Sequence, residues 1–144
     1  MSGRFFLDTN IFVYTFDATA PGKAATATDL VKRAIKTKTG IVSYQVVQEF
    51  FNVALRRFES PMTAAEADQY LASTFRPLLA VHSSPVLFSE ALRLGAKFRL
   101  AWYDSLVVAA ALEAQCDVLY SEDLQHGQHL ESVTVTNPFA AQPA

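Results

Sequence analysis

Arg4-Phe5-Phe6-Leu7-Asp8-Thr9-Asn10-Ile11 is the stretch from which the rest of the chain can be read. An apolar run this short, closed at once by a carboxylate, reads as a buried strand over residues 4–7 that ends at Asp8. Asp8-Thr9-Asn10 then has two readings. It is a turn, or the cap of a short helix over 11–14, or else it carries a functional acid at the end of a strand.

Outward from there, short apolar runs alternate with helical patterns. A helix over 21–36 opens with Pro21 in its first turn. Gly40-Ile41-Val42 is a second strand, and Ser43 caps a helix expected to run to about residue 58, with Val46, Val47, Phe50, Phe51 and Ala54 on one side. Thr63-Ala64-Ala65-Glu66 has capping-box spacing and starts a helix that turns Ala67, Tyr70 and Leu71 inward. Residues 78–81 form a third strand. Behind Ser84-Pro85 a helix places Leu87, Ala91, Leu94 and Phe98 on one stripe. Residues 103–114 are a nearly all-apolar helix, followed by strands over 118–120 and 133–136, the last stopped by Asn137-Pro138. This alternation predicts an α/β fold, a three-layer α/β/α sandwich around a central parallel sheet of about five strands. One domain covers residues 1–139, with a frayed tail over 140–144.

Composition agrees. The chain has 144 residues, 51 % hydrophobic and 18 % charged, with a net charge of −2. It can bury a core and is neither disordered nor broadly basic. All twelve Lys and Arg lie within residues 1–99, whereas residues 100–144 hold six acids and no Lys or Arg, so a mild overall charge can hide a basic face and an acidic pole. One cysteine, Cys116, excludes an intramolecular disulfide and a cysteine-built metal cluster. Three apolar residues before Asp8 are too few for a signal peptide, and the run over 106–112 is too short to span a bilayer. The expectation is a soluble, cytoplasmic protein that makes no membrane contact.

In a parallel sheet, ligands bind beyond the carboxyl ends of the strands. Asp8 and Asn10 follow the first strand, Glu49 lies in the second turn of the helix after the second, Asp104 opens the apolar helix, and Ser121-Glu122-Asp123 follow the fourth. Four acids from remote parts of the chain can therefore meet at one edge. Like charges a few ångströms apart raise one another's pKa, and a divalent cation removes the conflict. Oxygen ligands without His or Cys suit Mg²⁺ or Mn²⁺ rather than zinc. Such a site suits hydrolysis of a phosphodiester.

Each acid also has a plain reading. Glu49, with Gln45, Gln48, Asn52 and Arg56 near it on the wheel, reads alone as a solvated surface acid. Asp104 sits where a helix dipole favours negative charge, yet it is the only charge between Arg99 and Glu113. Asp123 caps a short helix in one reading, and Glu122 competes with it for the fourth position. His82, His126 and His129 form no ligand pattern. Trp102 and Tyr103 either stack on a base or serve packing. Lys23, Lys32, Arg33, Lys36, Lys38, Arg56 and Arg57 either contact phosphates or are ordinary solvated faces.

Phe6-Leu7-Asp8-Thr9-Asn10-Ile11, Val46-Val47-Gln48-Glu49-Phe50, Tyr103-Asp104-Ser105-Leu106-Val107-Val108-Ala109-Ala110-Ala111-Leu112 and Tyr120-Ser121-Glu122-Asp123-Leu124, in this order, resemble a PIN domain. That is the fold of the VapC ribonuclease toxins and related nucleases. The resemblance covers essentially the whole chain. It implies metal-binding, catalytic acids at Asp8, Glu49, Asp104 and Asp123, supported by Asn10 and Ser121. It further implies Mg²⁺- or Mn²⁺-dependent cleavage of RNA, a small antitoxin protein as partner, and a homodimer. After Asp123 many relatives carry another acid and an aromatic, where this chain has Leu124-Gln125-His126-Gly127. An RNA-processing nuclease outside any toxin pair, and a PIN module that binds without cutting, are the alternatives. A haloacid-dehalogenase-like phosphatase needs a second acid where Asn10 stands. That phosphatase and a phospho-receiver domain both need a late lysine, and none follows Lys97.

Overall fold

The computed structural model describes residues 2–140. The expected tail therefore lies outside the described residues except for Ala140, whose N–H donates to the Asn137 carbonyl.

Among the described residues six strands form one sheet: β1 (Phe5–Leu7), β2 (Gly40–Ser43), β3 (Leu79–Val81), β4 (Val118–Tyr120), β5 (His129–Leu130) and β6 (Val133–Thr136). Their order is β3-β2-β1-β4-β6-β5. Every neighbouring pair is parallel except β5 with β6. The sheet thus has one strand more than expected. The added one is the two-residue β5, which is too short to show alternation. Its hairpin turns on Glu131 in the left-handed region (φ 57°) rather than on the Asn-Gly or Asp-Gly pair that marks such turns in sequence.

The helices are α1 (Thr9–Tyr14), α2 (Pro21–Thr37), α3 (Tyr44–Ala54), α4 (Ala64–Tyr70), α5 (Pro85–Phe98) and α6 (Trp102–Glu113). The anticipated caps form. The Ser43 and Ser84 hydroxyls accept from Val46 N–H and Leu87 N–H. Thr63 and Glu66 close the capping box in both directions. With the right-handed crossovers that parallel strands take, this strand order puts α1 to α4 on one face of the sheet and α5 with α6 on the other.

Two elements differ from expectation. Helix α3 stops at Ala54, four residues early; the chain folds back so that Met62 N–H donates to the Ala54 carbonyl and the Phe58 ring lies on Phe16. Helix α4 buries no residue fully. It runs instead into a wide π-type turn at Leu71–Phe75, closed by Arg76 N–H on the Leu71 carbonyl, and this turn carries Phe75 into the core.

The three residues of β1 are all buried, because strands flank it on both sides and helices cover both faces. Around them Phe12, Phe50 and Phe75 form an aromatic cluster with no solvent exposure. Gly40 opens β2 directly under α2. A Cβ there would meet the Ala34 Cβ at 2.1 Å and its Cα at 2.8 Å. Gly40→Ala is therefore expected to cost about 1–3 kcal/mol, as overpacking against backbone does. Urea unfolding checks this, and an unchanged midpoint would refute the close approach. No helix among the described residues is long and apolar enough to cross a membrane.

Candidate active site

The crossovers reverse direction between β1 and β4, and such a reversal leaves a crevice beyond the carboxyl ends of the two strands. Asp8 follows β1 and Ser121 follows β4, so the sheet places them side by side. Asp8 caps α1, accepting from Thr9 N–H at 2.7 Å, and its other oxygen accepts from the Ser121 hydroxyl at 2.9 Å. The structure thus bears out the cap reading of Asp8 and places its side chain at the end of β1. The Ser121 hydroxyl also accepts from Asp123 N–H at 3.2 Å, and Asn10 Nδ2 donates to an Asp123 carboxylate oxygen at 3.2 Å. No helix forms at Asp123.

Glu49 arrives from α3. It is half-buried and accepts from Gln45 Nε2 at 2.7 Å, one helical turn earlier. Gln45 also reaches the Tyr103 carbonyl at 3.4 Å, tying α3 to the first turn of α6. Asp104 lies in that turn, after Ala101, a residue that caps nothing with its side chain.

The four acids share one electrostatic environment. Burial pushes the Asp8 carboxyl up to about 6, and Asp123 and Glu49 add to the rise against the opposing bonds from Thr9 and Ser121. Glu49 is raised by burial and then by Asp104 and Asp123, while Gln45 pulls the other way. Asp104 is raised by burial and by Asp123. Among the described residues no Lys or Arg forms an ion pair with any of them.

They do not yet form a coordination shell. Among the described residues no three His, Cys, Asp or Glu stand close enough to hold an ion as they are placed. Uncompensated carboxylates repel, so an open arrangement is the physical expectation for this set. The donor chemistry itself, hard oxygens lacking a cationic partner, fits a hard divalent cation such as Mg²⁺ or Mn²⁺.

Glu122 points elsewhere. It takes a hydrogen bond from Tyr14 at 2.6 Å and an ion pair from Lys23 at 2.7 Å. Burial alone would raise its carboxyl, but these two partners hold it below the usual range. Arg33 is committed as well, donating to the Tyr120 hydroxyl at 2.8 Å and lying over the Phe5 ring. Lys32, Lys36, Lys38, Arg56 and Arg57 are exposed, as are the three histidines.

Sequence reasoning singled out neither Gln45 nor Thr9. Gln45 carried a signal, since it stands four residues before Glu49 on the same helical face. The Thr9 hydroxyl, buried beside Asp8, has no hydrogen-bond partner among the described residues, and nothing in the sequence foretold it.

Solved structures share this architecture. A toxin–antitoxin complex from Klebsiella pneumoniae matches with a TM-score of 0.64 at 15 % identity, over 90 % of this chain and 94 % of that one. VapBC2 from Rickettsia felis, bound to a DNA fragment from its promoter, matches with a TM-score of 0.64 at 14 % identity, over 91 % and 96 %. Mycobacterium tuberculosis VapC20, a toxin that cleaves the sarcin-ricin loop, matches with a TM-score of 0.60 at 18 % identity, over 83 % and 89 %. These identities speak for the fold alone. No curated protein matches the sequence. The PIN domain family profile matches residues 5–128, the span that runs from β1 through every acid of the crevice, and by that match the chain belongs to the PIN domain family.

Proposed function

We propose that this chain is a divalent-metal-dependent endoribonuclease and the toxin of a toxin–antitoxin pair. One observation supports the nuclease reading: Asp8, Glu49, Asp104 and Asp123, from remote parts of the chain, lie near enough for their charges to act on one another, and among the described residues none of them pairs with a Lys or Arg. Family membership supports it, and the three similar structures, all of toxins or toxin–antitoxin complexes, support the biological role.

In this reading Asp8, Asp104 and Glu49 are the catalytic ligands, with Asp123 as the fourth. Glu122 is the weaker candidate because Lys23 and Tyr14 already occupy it. Mg²⁺ or Mn²⁺, when bound, supplies a Lewis acid for a phosphate oxygen and lowers the pKa of a water. Ser121 fixes the rotamer of Asp8, and Asn10 fixes that of Asp123. The exposed basic residues of α2 and of the segment after α3 attract the RNA backbone, which makes binding weaken with salt. A small antitoxin silences the enzyme, which acts as a cytoplasmic homodimer.

The test is incubation of the purified protein with total RNA, with Mn²⁺ and with chelator, followed by mapping of new ends. Mn²⁺-dependent cuts bearing a 5′-phosphate and a 3′-hydroxyl are expected. Mn²⁺ should also raise the melting temperature, because a ligand that binds only the folded state stabilises it. Absence of cleavage, or cleavage undiminished by chelator, would refute the proposal.

A further inference from the structure

Beside the acids lies a second feature. A cavity of about 220 Å³ opens between the first turns of α3 and α6 and the start of α5. Its walls include Tyr44, Gln45, Gln48, Phe88, Trp102 and Tyr103. The four aromatic residues are unusually exposed for their type. Tyr103, adjacent to Asp104, is 64 % exposed, and Trp102 is 41 % exposed. Trp102 and Phe88 sit 6.0 Å apart as a tilted pair, while Tyr44 is held by the His82 ring at 4.4 Å. Leaving this much aromatic surface in water is costly unless something covers it.

The lining is also polar in a specific way. Gln48 presents an amide that makes no hydrogen bond among the described residues, and Gln45 joins the cavity to Glu49 and to the Tyr103 backbone. Aromatic faces combined with amide donors and acceptors are what an unstacked nucleobase requires: stacking on its plane and hydrogen bonds on its edge. A lipid or an aliphatic peptide side chain would leave the amide unmatched.

We propose that this cavity receives one splayed-out base of single-stranded RNA, next to the phosphate held at the acids, and that Tyr103 and Trp102 are its stacking residues. This rests on the nuclease reading for its ligand but not for its test. Separation from the acids by the single Gln45 side chain makes the occupant a nucleotide close to the scissile bond. The cavity therefore selects for unpaired RNA.

Trp102 is the only tryptophan of the chain, so its emission reports on the cavity directly. In chelator, where RNA stays intact, single-stranded decamers of adenylate and of uridylate should change Trp102 emission saturably, and an A–U duplex of the same length should not. The same titration with fluorescein-labelled decamers, read by anisotropy, gives affinity. Tyr103→Ala should weaken single-strand binding about tenfold and Tyr103→Phe should leave it near the parent value, since stacking persists. Circular dichroism confirms folding of each variant.

Binding by anisotropy without an emission change overturns the proposal, as does a folded Tyr103→Ala protein within twofold of the parent. No binding of any decamer overturns it too. An emission shift on diluting the RNA-free protein would assign the cavity to contact with a second copy, and would also overturn it. An emission change in a protein that never cleaves RNA upholds the cavity and sinks the nuclease reading instead.

Discussion

Asp8→Asn should lower RNA cleavage by about three orders of magnitude or more and at the same time stabilise the fold at pH 7. The first effect follows from the loss of a charged oxygen where metal-assisted charge stabilisation of several kcal/mol is exerted, each 1.36 kcal/mol being tenfold in rate. The second follows from burial. The Asp8 carboxyl lies near 6 in the folded chain against an ordinary 3.8, so the folded state holds the proton more tightly. Stability of the metal-free parent must then fall as pH rises from about 4 to about 6, and above that range the penalty is complete. A rise from 3.8 to about 6 corresponds to about 3 kcal/mol, an upper value for what Asn relieves, because Asn still accepts from Thr9 or Ser121. Thermal melts with chelator at pH 4 to 8 check both points: the parent should show the slope and the variant should lack Asp8's share of it. A folded Asp8→Asn protein with normal cleavage would end the nuclease assignment, and a lower melting temperature at pH 7 would end the burial account.

Phe50→Ala is the largest expected loss of stability, about 3–5 kcal/mol. Phe50 is fully buried and stacks on Tyr70 at 5.0 Å, with Phe75 at 5.2 Å, Phe51 at 5.3 Å and Phe16 and Phe58 at 6.0 Å. No neighbour can collapse into the space without giving up its own ring contacts. A domain of this kind has about 5–15 kcal/mol in total, so the variant would be marginal. Glu49 precedes Phe50 on α3, and a looser α3 also displaces that carboxylate. Guanidinium unfolding measures the first effect; a loss below about 1 kcal/mol would show that the aromatic cluster is not cooperative.

Much of the architecture could be read from local signals. Ser43, Ser84 and the Thr63–Glu66 pair announce helix starts because a cap is a matter of adjacent residues. The stripe Leu87, Ala91 and Leu94 is buried as its spacing requires. What escaped was set by distant partners. Phe58 left the α3 pattern because Phe16 and Phe50 lie across from it. Strand β5 exists only as the answer to β6. The site divides in the same way. Asp8 and Asp104 stood out as acids in apolar surroundings, whereas Ser121 reaches Asp8 only because β1 and β4 are neighbours, a fact no spacing along the chain encodes. What sets Glu122 apart from Asp123 in the structure is Lys23, 99 residues away along the chain, which pairs with Glu122.

The outermost strands are three residues (β3) and two residues (β5) long. Exposed strand borders are where chains zip together into aggregates, and brevity is one of the ways proteins blunt them. By folding β5 back over β6, the chain leaves neither border long enough to template another molecule. An open ladder of Val133, Thr134, Val135 and Thr136 would offer a longer border for pairing with another molecule than the two-residue β5 that covers it.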